Sequence, residues 1–178
     1  MLRTDEVDLP RSILALLCSN RCPGTIVLKF YDLARRLRDE GIVVMGGFQT
    51  AMEQEALDFL IRDSQPVVWI PSWTRSARGF TARQRDAHKR GSLHLINLFD
   101  PPLKRPSRSS SQKRNHWLLT NADAVLIVHA SAKGVVEKSV REAAGQIEHL
   151  WVLEDPANAM IEFGQCLSED AVVAEMKA

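Results

Sequence analysis

GIVVMGGFQTAME, residues 41–53, is the stretch that decides the fold of this chain. Its first half, Ile42–Met45, is short and uniformly apolar, which is typical of a strand buried on both faces of a sheet. Two glycines then form a turn, and Thr50-Ala-Met-Glu53 has the spacing of a capping box at the start of a helix. A buried strand that leads directly into a helix predicts a parallel sheet covered by helices.

The same alternation of strands and helices extends outward in both directions. It predicts strands at 12–17, 42–45, 66–70, 92–98, 124–128 and 149–153, and helices at 25–40, 50–62, 81–90, 113–121 and 135–148. Residues 101–112 are predicted to be a long surface loop, and 159–178 to be one or two short helices. The pattern indicates an α/β fold, a Rossmann-like, doubly wound, mainly parallel sheet with helices on both faces.

Length and composition indicate one globular domain, expected over residues 1–178. The chain is 45% hydrophobic and 25% charged, which are ordinary values for such a domain. No apolar run approaches the ~20 residues that a membrane helix needs. Residues 1–10 lack the basic and apolar pattern of a signal peptide, so we expect a cytoplasmic location without membrane contact. The three cysteines are therefore expected to be reduced thiols.

Charge is segregated along the chain although the formal net charge is only +1. Residues 74–116 contain 11 basic and 2 acidic side chains, a charge of +9, whereas 1–73 carry −2 and 117–178 carry −6. We call the segment 74–116 the basic segment. Such asymmetry favours an anionic partner, and the alternative is that these side chains lie on solvated faces and a mobile loop.

Ligands of doubly wound domains bind at the carboxyl ends of the strands, where the strand order reverses. The glycine pair 46–47 precedes a helix, as phosphate-binding turns do, but tight turns also use glycine without a ligand. Ser131, Lys133 and Gly134 precede another predicted helix and either hold an oxyanion or only cap that helix. Arg114 and Asn115 are a third candidate pair, because arginine binds phosphate bidentately.

Three other side chains near these strand ends are possible second contacts. Glu53 either caps its helix or, in a site, repels a phosphate or binds a hydroxyl, and Glu137 lies in the first turn of a later helix. His129 follows the fifth strand and is either a ligand contact or a hydrogen-bonded structural residue. The histidines and cysteines do not have metal-ligand spacing, so no metal is expected.

The order of elements resembles the Rossmann-like domain of the DprA/Smf DNA-processing proteins, which belong to the SLOG superfamily. The residues that match are Ser19-Asn20-Arg21, the stretch 41–47, and Arg114-Asn115-His116 followed by 118–131. The last block is similar to the R-N-R segment of that family, with His116 in place of its second arginine. The glycine motif S-G-x-A-x-G-I-D of the family appears here as residues 46–53, with several substitutions.

The resemblance implies a noncatalytic protein that binds the phosphates of single-stranded DNA and forms a homodimer, with no cofactor. The strand-end pocket and the basic segment between residues 75 and 114 would make the contacts. The candidate site residues, taken from the resemblance or from their position at a strand end, are Ser19, Asn20, Arg21, Gly46, Gly47, Phe48, Arg114, Asn115, Ser131, Lys133 and Gly134.

The alternative is a SLOG-type protein with a nucleotide-derived ligand, either a nucleoside monophosphate hydrolase or a nucleotide sensor. The hydrolases carry the motif P-G-G-x-G-T-x-x-E. Only Gly134 and Glu137 resemble it here, with a spacing one residue too short and without Pro-Gly-Gly. The sequence therefore favours binding over catalysis.

Overall fold

One seven-stranded sheet, with every strand parallel to its neighbours, forms the centre of the computed structural model, which describes residues 12–158 and 161–178. The strand order is β4-β3-β2-β1-β5-β6-β7. The strands are β1 (Ile13–Cys18), β2 (Val43–Gly46), β3 (Val67–Trp69), β4 (Leu93–Leu95), β5 (Ala124–His129), β6 (His149–Leu153) and β7 (Gln165–Leu167).

Six α-helices, counted over the described residues, cover the two faces of this sheet. They are α1 (Gly24–Asp39), α2 (Ala51–Leu60), α3 (Ala82–Arg90), α4 (Arg108–Thr120), α5 (Val135–Ala143) and α6 (Glu169–Lys177), and short 3-10 turns lie at 77–79, 144–146 and 156–158. The doubly wound α/β fold predicted from the sequence is thus confirmed. Residues 1–10, which are predicted to contain no signal peptide, lie outside the described residues.

Alternate residues of the central strands supply two separate hydrophobic cores. In β1, Leu14 and Leu16 pack in one core with side chains of α1 and α2, whereas Ala15 and Leu17 pack in the other with side chains of α4 and α5. All four are almost fully buried. This double burial explains why the strand sequences are uniformly apolar instead of alternating.

The strand order reverses between β1 and β5, which are neighbours in the sheet. From β1 the chain builds outward through β2, β3 and β4 on one side, and β5, β6 and β7 then extend the sheet on the other. The loops after β1 and β5 therefore leave the sheet side by side and diverge to opposite faces. The crevice between them is where doubly wound domains place their ligands.

Three sequence-based boundaries are wrong. The predicted loop 101–112 is partly helical, because the Ser107 side chain accepts a hydrogen bond from the Ser110 N–H and starts α4 seven residues after cis-Pro101. The helix predicted to reach 148 ends at Ala143 and continues as a 3-10 turn. Part of the predicted C-terminal helical stretch forms strand β7, which pairs with β6 and is too short for a periodicity signal.

Candidate anion-binding cleft

A cleft of about 320 Å³ opens at the carboxyl ends of β1 and β5, at the reversal point of the strand order. It brings together eight predicted site or second-contact residues, which are Ser19, Asn20, Arg21, Glu53, Arg114, Asn115, Ser131 and Gly134. Two further polar lining residues, Gln49 and Ser111, were not predicted. The rest of the lining is mostly aliphatic. The cleft thus combines apolar walls with a few polar groups, as ligand pockets usually do.

Ser19 and Ser131 fix the two loops that form the mouth of this cleft. The Ser19 N–H donates to the carbonyl of His129, and the Ser131 N–H donates to the Ser19 hydroxyl, both at 2.9 Å. The Ser131 hydroxyl donates to the carbonyl of Arg21 at 3.3 Å. These bonds hold the loops after β1 and β5 together, while the side chains of Asn20 and Arg21 stay exposed at the mouth.

Arg114 is the buried cation of the cleft. Its side chain reaches the cleft from α4, and the residue is only 7% exposed. Its Nη2 donates to Gln49 Oε1 at 3.5 Å, and its buried Nε has no hydrogen-bond partner among the described residues. Burial lowers the pKa of the guanidinium, and the nearby Glu53 carboxylate acts in the opposite direction. A buried cation with an unpaired N–H group attracts an anion strongly.

Gly47 makes room for this guanidinium. A Cβ at Gly47 would lie 0.9 Å from Arg114 Nη1, so every other residue type would displace the arginine. Neither glycine of the pair lines the cleft. Gly46 instead packs under the Phe48 ring, which would lie 2.9 Å from a Cβ at that position, and Phe48 is buried in the core with a left-handed backbone (φ 41°). The glycine pair therefore positions a cation and does not line the cleft.

Glu53 lies in the first turn of α2 and lines the cleft beside Arg114. Its Oε2 accepts hydrogen bonds from the backbone N–H groups of Gln49 and Thr50, both at 2.9 Å. The Thr50 hydroxyl accepts in return from the Glu53 N–H, which completes the capping box. The carboxylate is thus both a helix cap and a charged wall of the cleft.

The turn after β5 is only partly within the cleft. Gly134 lines it, and a Cβ there would lie 2.7 Å from the Ser131 carbonyl oxygen, so the tight turn requires glycine. Lys133, with a left-handed backbone (φ 59°), and Glu137 lie outside the lining. The Glu137 carboxylate accepts from the Lys133 N–H and from Arg141, and these hydrogen bonds lower its pKa. Glu137 is therefore engaged at the helix start.

His129 and Asn115 form hydrogen bonds inside the protein. His129 Nδ1 lies 2.7 Å from Asn158 Oδ1, and the Asn158 amide donates to the carbonyls of Val128 and Leu153. Asn115 donates to the Ser139 hydroxyl at 3.4 Å and so connects α4 to α5. Of the two, only Asn115 lines the cleft. The remaining ionisable group there is the Cys18 thiol, whose pKa is raised by the neighbouring Cys22 thiol and by burial, so it is neutral.

The basic segment does not form one surface at the cleft, and Arg114 is the only one of its 11 basic residues in the lining. Arg83 and Arg90 project from α3 and donate to the carbonyls of Asp58 and Ile61 at the end of α2. The Arg75 guanidinium stacks over Trp69, 4.3 Å from the ring centroid. The charge excess seen in the sequence is thus divided among several places.

Two types of site are not found in the described part of the chain. Within 12–158 and 161–178, no group of three or more His, Cys, Asp and Glu side chains is placed to hold a metal ion. No helix in the same ranges has the length and hydropathy to cross a membrane.

Comparison with known proteins finds similarity in structure but not in sequence. No family model matches the chain, and no curated protein matches its sequence. DNA processing protein A from Streptococcus pneumoniae superposes with a TM-score of 0.71 at 14% identity, over 92% of this chain and 61% of that protein. This chain thus spans less than two thirds of that relative.

Two further solved structures are similar over almost the whole chain. DNA processing protein A from Helicobacter pylori, which binds single-stranded DNA, gives a TM-score of 0.66 at 17% identity, over 98% of this chain and 76% of that one. The molybdenum cofactor binding protein from Rippkaea orientalis gives 0.65 at 13% identity, over 96% and 98%. The resemblance noted in the sequence is thereby confirmed at the level of the fold, because this chain has the same Rossmann-like fold as these proteins.

Proposed function

We propose that this protein binds single-stranded DNA without cleaving it, and that one backbone phosphate contacts Arg114 in the cleft. The buried Arg114 guanidinium with its unpaired Nε is the observation that supports this most directly. Burying a cation costs roughly several kcal/mol, and a bound phosphate would offset the part of that cost that the neighbouring Glu53 carboxylate leaves uncompensated. Charge-assisted hydrogen bonds to phosphate are also among the strongest that proteins make.

The absence of a catalytic step is part of this proposal. The two carboxylates predicted as second contacts already have structural partners, since Glu53 caps α2 and Glu137 is bound by Lys133 and Arg141. Glu137, which is not part of a complete hydrolase motif, also lies outside the cleft lining. The position of Glu137 outside the cleft and the role of Glu53 as a helix cap support binding over glycosidic cleavage, which requires a free acid or base at the ligand.

A strand is favoured over a single nucleotide by the exposed cations outside the cleft interior. Arg21 is exposed at the cleft mouth, and Arg108 is exposed on the helix that carries Arg114 but outside the cleft lining, whereas Lys113 lines a separate pocket. Such side chains would contact neighbouring phosphates of a strand, as in other single-strand binding grooves. The homodimer and the cytoplasmic location stay predictions.

The second candidate is a protein that binds one phosphorylated small molecule. The cleft volume of about 320 Å³ supports it, because that is near the lower end of the range for small-molecule pockets. The molybdenum cofactor binding protein from Rippkaea orientalis, with a similar fold, binds a small cofactor.

Fluorescence anisotropy with a labelled oligothymidylate tests the proposal. We expect binding at low salt, with competition by unlabelled oligonucleotide at far lower concentration than by thymidine monophosphate. Arg114→Ala should weaken binding by about 1–3 kcal/mol. Arg90→Ala is the matched control, since it removes one charge of the same segment away from the cleft.

The competition distinguishes the two candidates. Displacement of the oligonucleotide by thymidine monophosphate at equal concentration would favour the small-molecule function. No binding of the oligonucleotide at low salt, or equal losses for the two variants, would contradict the proposal. Thermal unfolding curves show whether each variant is folded.

A further inference from the structure

The cleft places a fixed negative charge beside its buried positive one. Glu53 and Arg114 both line it, and both are at most 7% exposed. We infer that Glu53 determines specificity, so that the cleft accepts the monoanionic phosphate of an internal phosphodiester and rejects the dianionic phosphate of a monoester. The inference rests on the proposed binding of phosphate at Arg114.

Glu53 is held in place by the capping box. Its Oε2 accepts from two backbone N–H groups, those of Gln49 and Thr50, at 2.9 Å each. The other oxygen, Oε1, accepts no hydrogen bond from the residues that the structure describes. These two hydrogen bonds hold the carboxylate at the cleft, so an incoming phosphate lies near its negative charge.

The charges of the lining match one negative charge on the ligand. Arg21, Glu53 and Arg114 are the charged lining residues, and their formal charges together give +1. A phosphodiester carries one negative charge, whereas a phosphomonoester carries about −1.5 to −2 at pH 7. The first charge is compensated by the lining and the second is not. Like charges brought together in a poorly solvated site strongly disfavour the wrong partner.

The glutamate is not needed for the fold as a charged group. Glutamine serves the same position of a capping box, because its side-chain oxygen also accepts from the N-cap N–H. Glu53→Gln therefore keeps the helix start and removes only the charge. Glu55→Gln is the matched control, because Glu55 is exposed on the same helix and lies outside the cleft lining.

Two ligands that share base and sugar test the inference, namely thymidine 5′-monophosphate and its methyl phosphodiester. Each is used at pH 8 to displace a labelled oligothymidylate from the wild type, Glu53→Gln and Glu55→Gln. For the wild type and Glu55→Gln we expect the diester to bind about tenfold more tightly than the monoester. For Glu53→Gln we expect this preference to disappear, mainly because the monoester binds more tightly.

The outcomes separate this inference from the proposed function. Equal binding of the two ligands to the wild type would overturn the role of Glu53, as would a preference that survives in Glu53→Gln. Failure of both ligands to displace the oligonucleotide, from the wild type and from Glu53→Gln alike, would overturn it too. In those cases oligonucleotide binding still supports the proposed function, whereas a wild type that binds no oligonucleotide contradicts the proposed function itself.

Discussion

Arginines occur in two contrasting regions of this domain, the cleft at β1 and β5 and the edge where α2 meets α3. In the cleft, Arg114 is buried and its Nε has no partner among the described residues. At the edge, Arg62, Arg83 and Arg90 are exposed and donate to backbone carbonyls near the end of α2. Arginine thus donates to backbone carbonyls at the edge, whereas in the cleft it donates to a side chain and keeps one buried N–H group unpaired among the described residues.

This contrast shows that the number of charges in a segment does not locate a binding site. The edge arginines lie at the negative end of a helix dipole, where cations stabilise the helix. Their charge is already used by the protein and remains hydrated. Arg114 is removed from water and is compensated only in part, by Glu53 and Gln49, so it gains more from an anion than an exposed arginine does.

The largest expected effect comes from Gly47→Ala, which disrupts the cleft without replacing a charged side chain. The new Cβ would occupy the position of Arg114 Nη1, 0.9 Å away, so the guanidinium must leave its site. We expect the affinity for oligothymidylate to fall by about 2 kcal/mol, close to the effect of removing the arginine. Fluorescence anisotropy measures the loss.

Gly145→Ala is the matched control for that variant. No atom lies within 4 Å of a Cβ at Gly145, so the same methyl group there meets open space. Its affinity should equal that of the wild type. If Gly47→Ala also bound normally, the buried position of Arg114 would not matter for binding, and the contrast between cleft and edge would lose its functional meaning.

At the edge we expect a smaller effect, and it concerns the stability of the fold instead of the affinity for DNA. Replacing Arg83 and Arg90 together by alanine removes two donors to the carbonyls of Asp58 and Ile61. Each contact of a cation with a helix C-terminus stabilises by about 0.3–1 kcal/mol when exposed. We therefore expect a lower free energy of unfolding in urea and an oligonucleotide affinity within about twofold of the wild type.

The double variant also tests whether the edge arginines differ in function from Arg114. A large loss of affinity with unchanged stability would mean that the edge arginines contact DNA and that the binding surface extends around the domain. The urea measurement is needed beside the anisotropy titration, because a destabilised variant would lose affinity without losing a contact.

The fold could be predicted from the sequence because its signals are local. Apolar runs such as 42–45 and 124–128 mark buried strands, and the capping box at Thr50 and Glu53 marks the start of α2. Strand β7 gave no such signal, because only three residues pair and two of them are exposed. Short edge strands depend on a neighbour and not on their own pattern.

The location of the cleft could be predicted too, but not the roles of its residues. Gly47 resembles a phosphate-binding glycine in the sequence, whereas in the structure it accommodates Arg114, which is distant in the chain. Gln49 and Ser111 carry no motif, and only the packing of α4 against the loop after β2 brings them to the cleft. Such contacts between distant residues leave no local signal.

The smallest expected effect concerns the salt dependence of binding. Its slope reports the number of cations that contact phosphate. For single strands, the logarithm of the affinity falls with the logarithm of salt by about 0.7 for each contact. Arg21 and Arg114 are the cations of the cleft lining, so contacts there alone predict a slope of about −1.4. These two contacts alone lower the affinity about sevenfold between 50 and 200 mM salt, and any contact made by the exposed cations of α4 would add to that fall.

Arg21→Ala should reduce that slope by about 0.7, a difference of roughly threefold in affinity over the same salt range. The residue is exposed at the cleft mouth, and Ser131 binds its carbonyl group and not its side chain, so the loop should keep its shape in the variant. A slope near −0.7 before the substitution would mean that Arg114 acts alone. A slope far steeper than −1.4 would show that the exposed cations of α4 also contact the strand, and then the cleft would be one part of a longer phosphate-binding track.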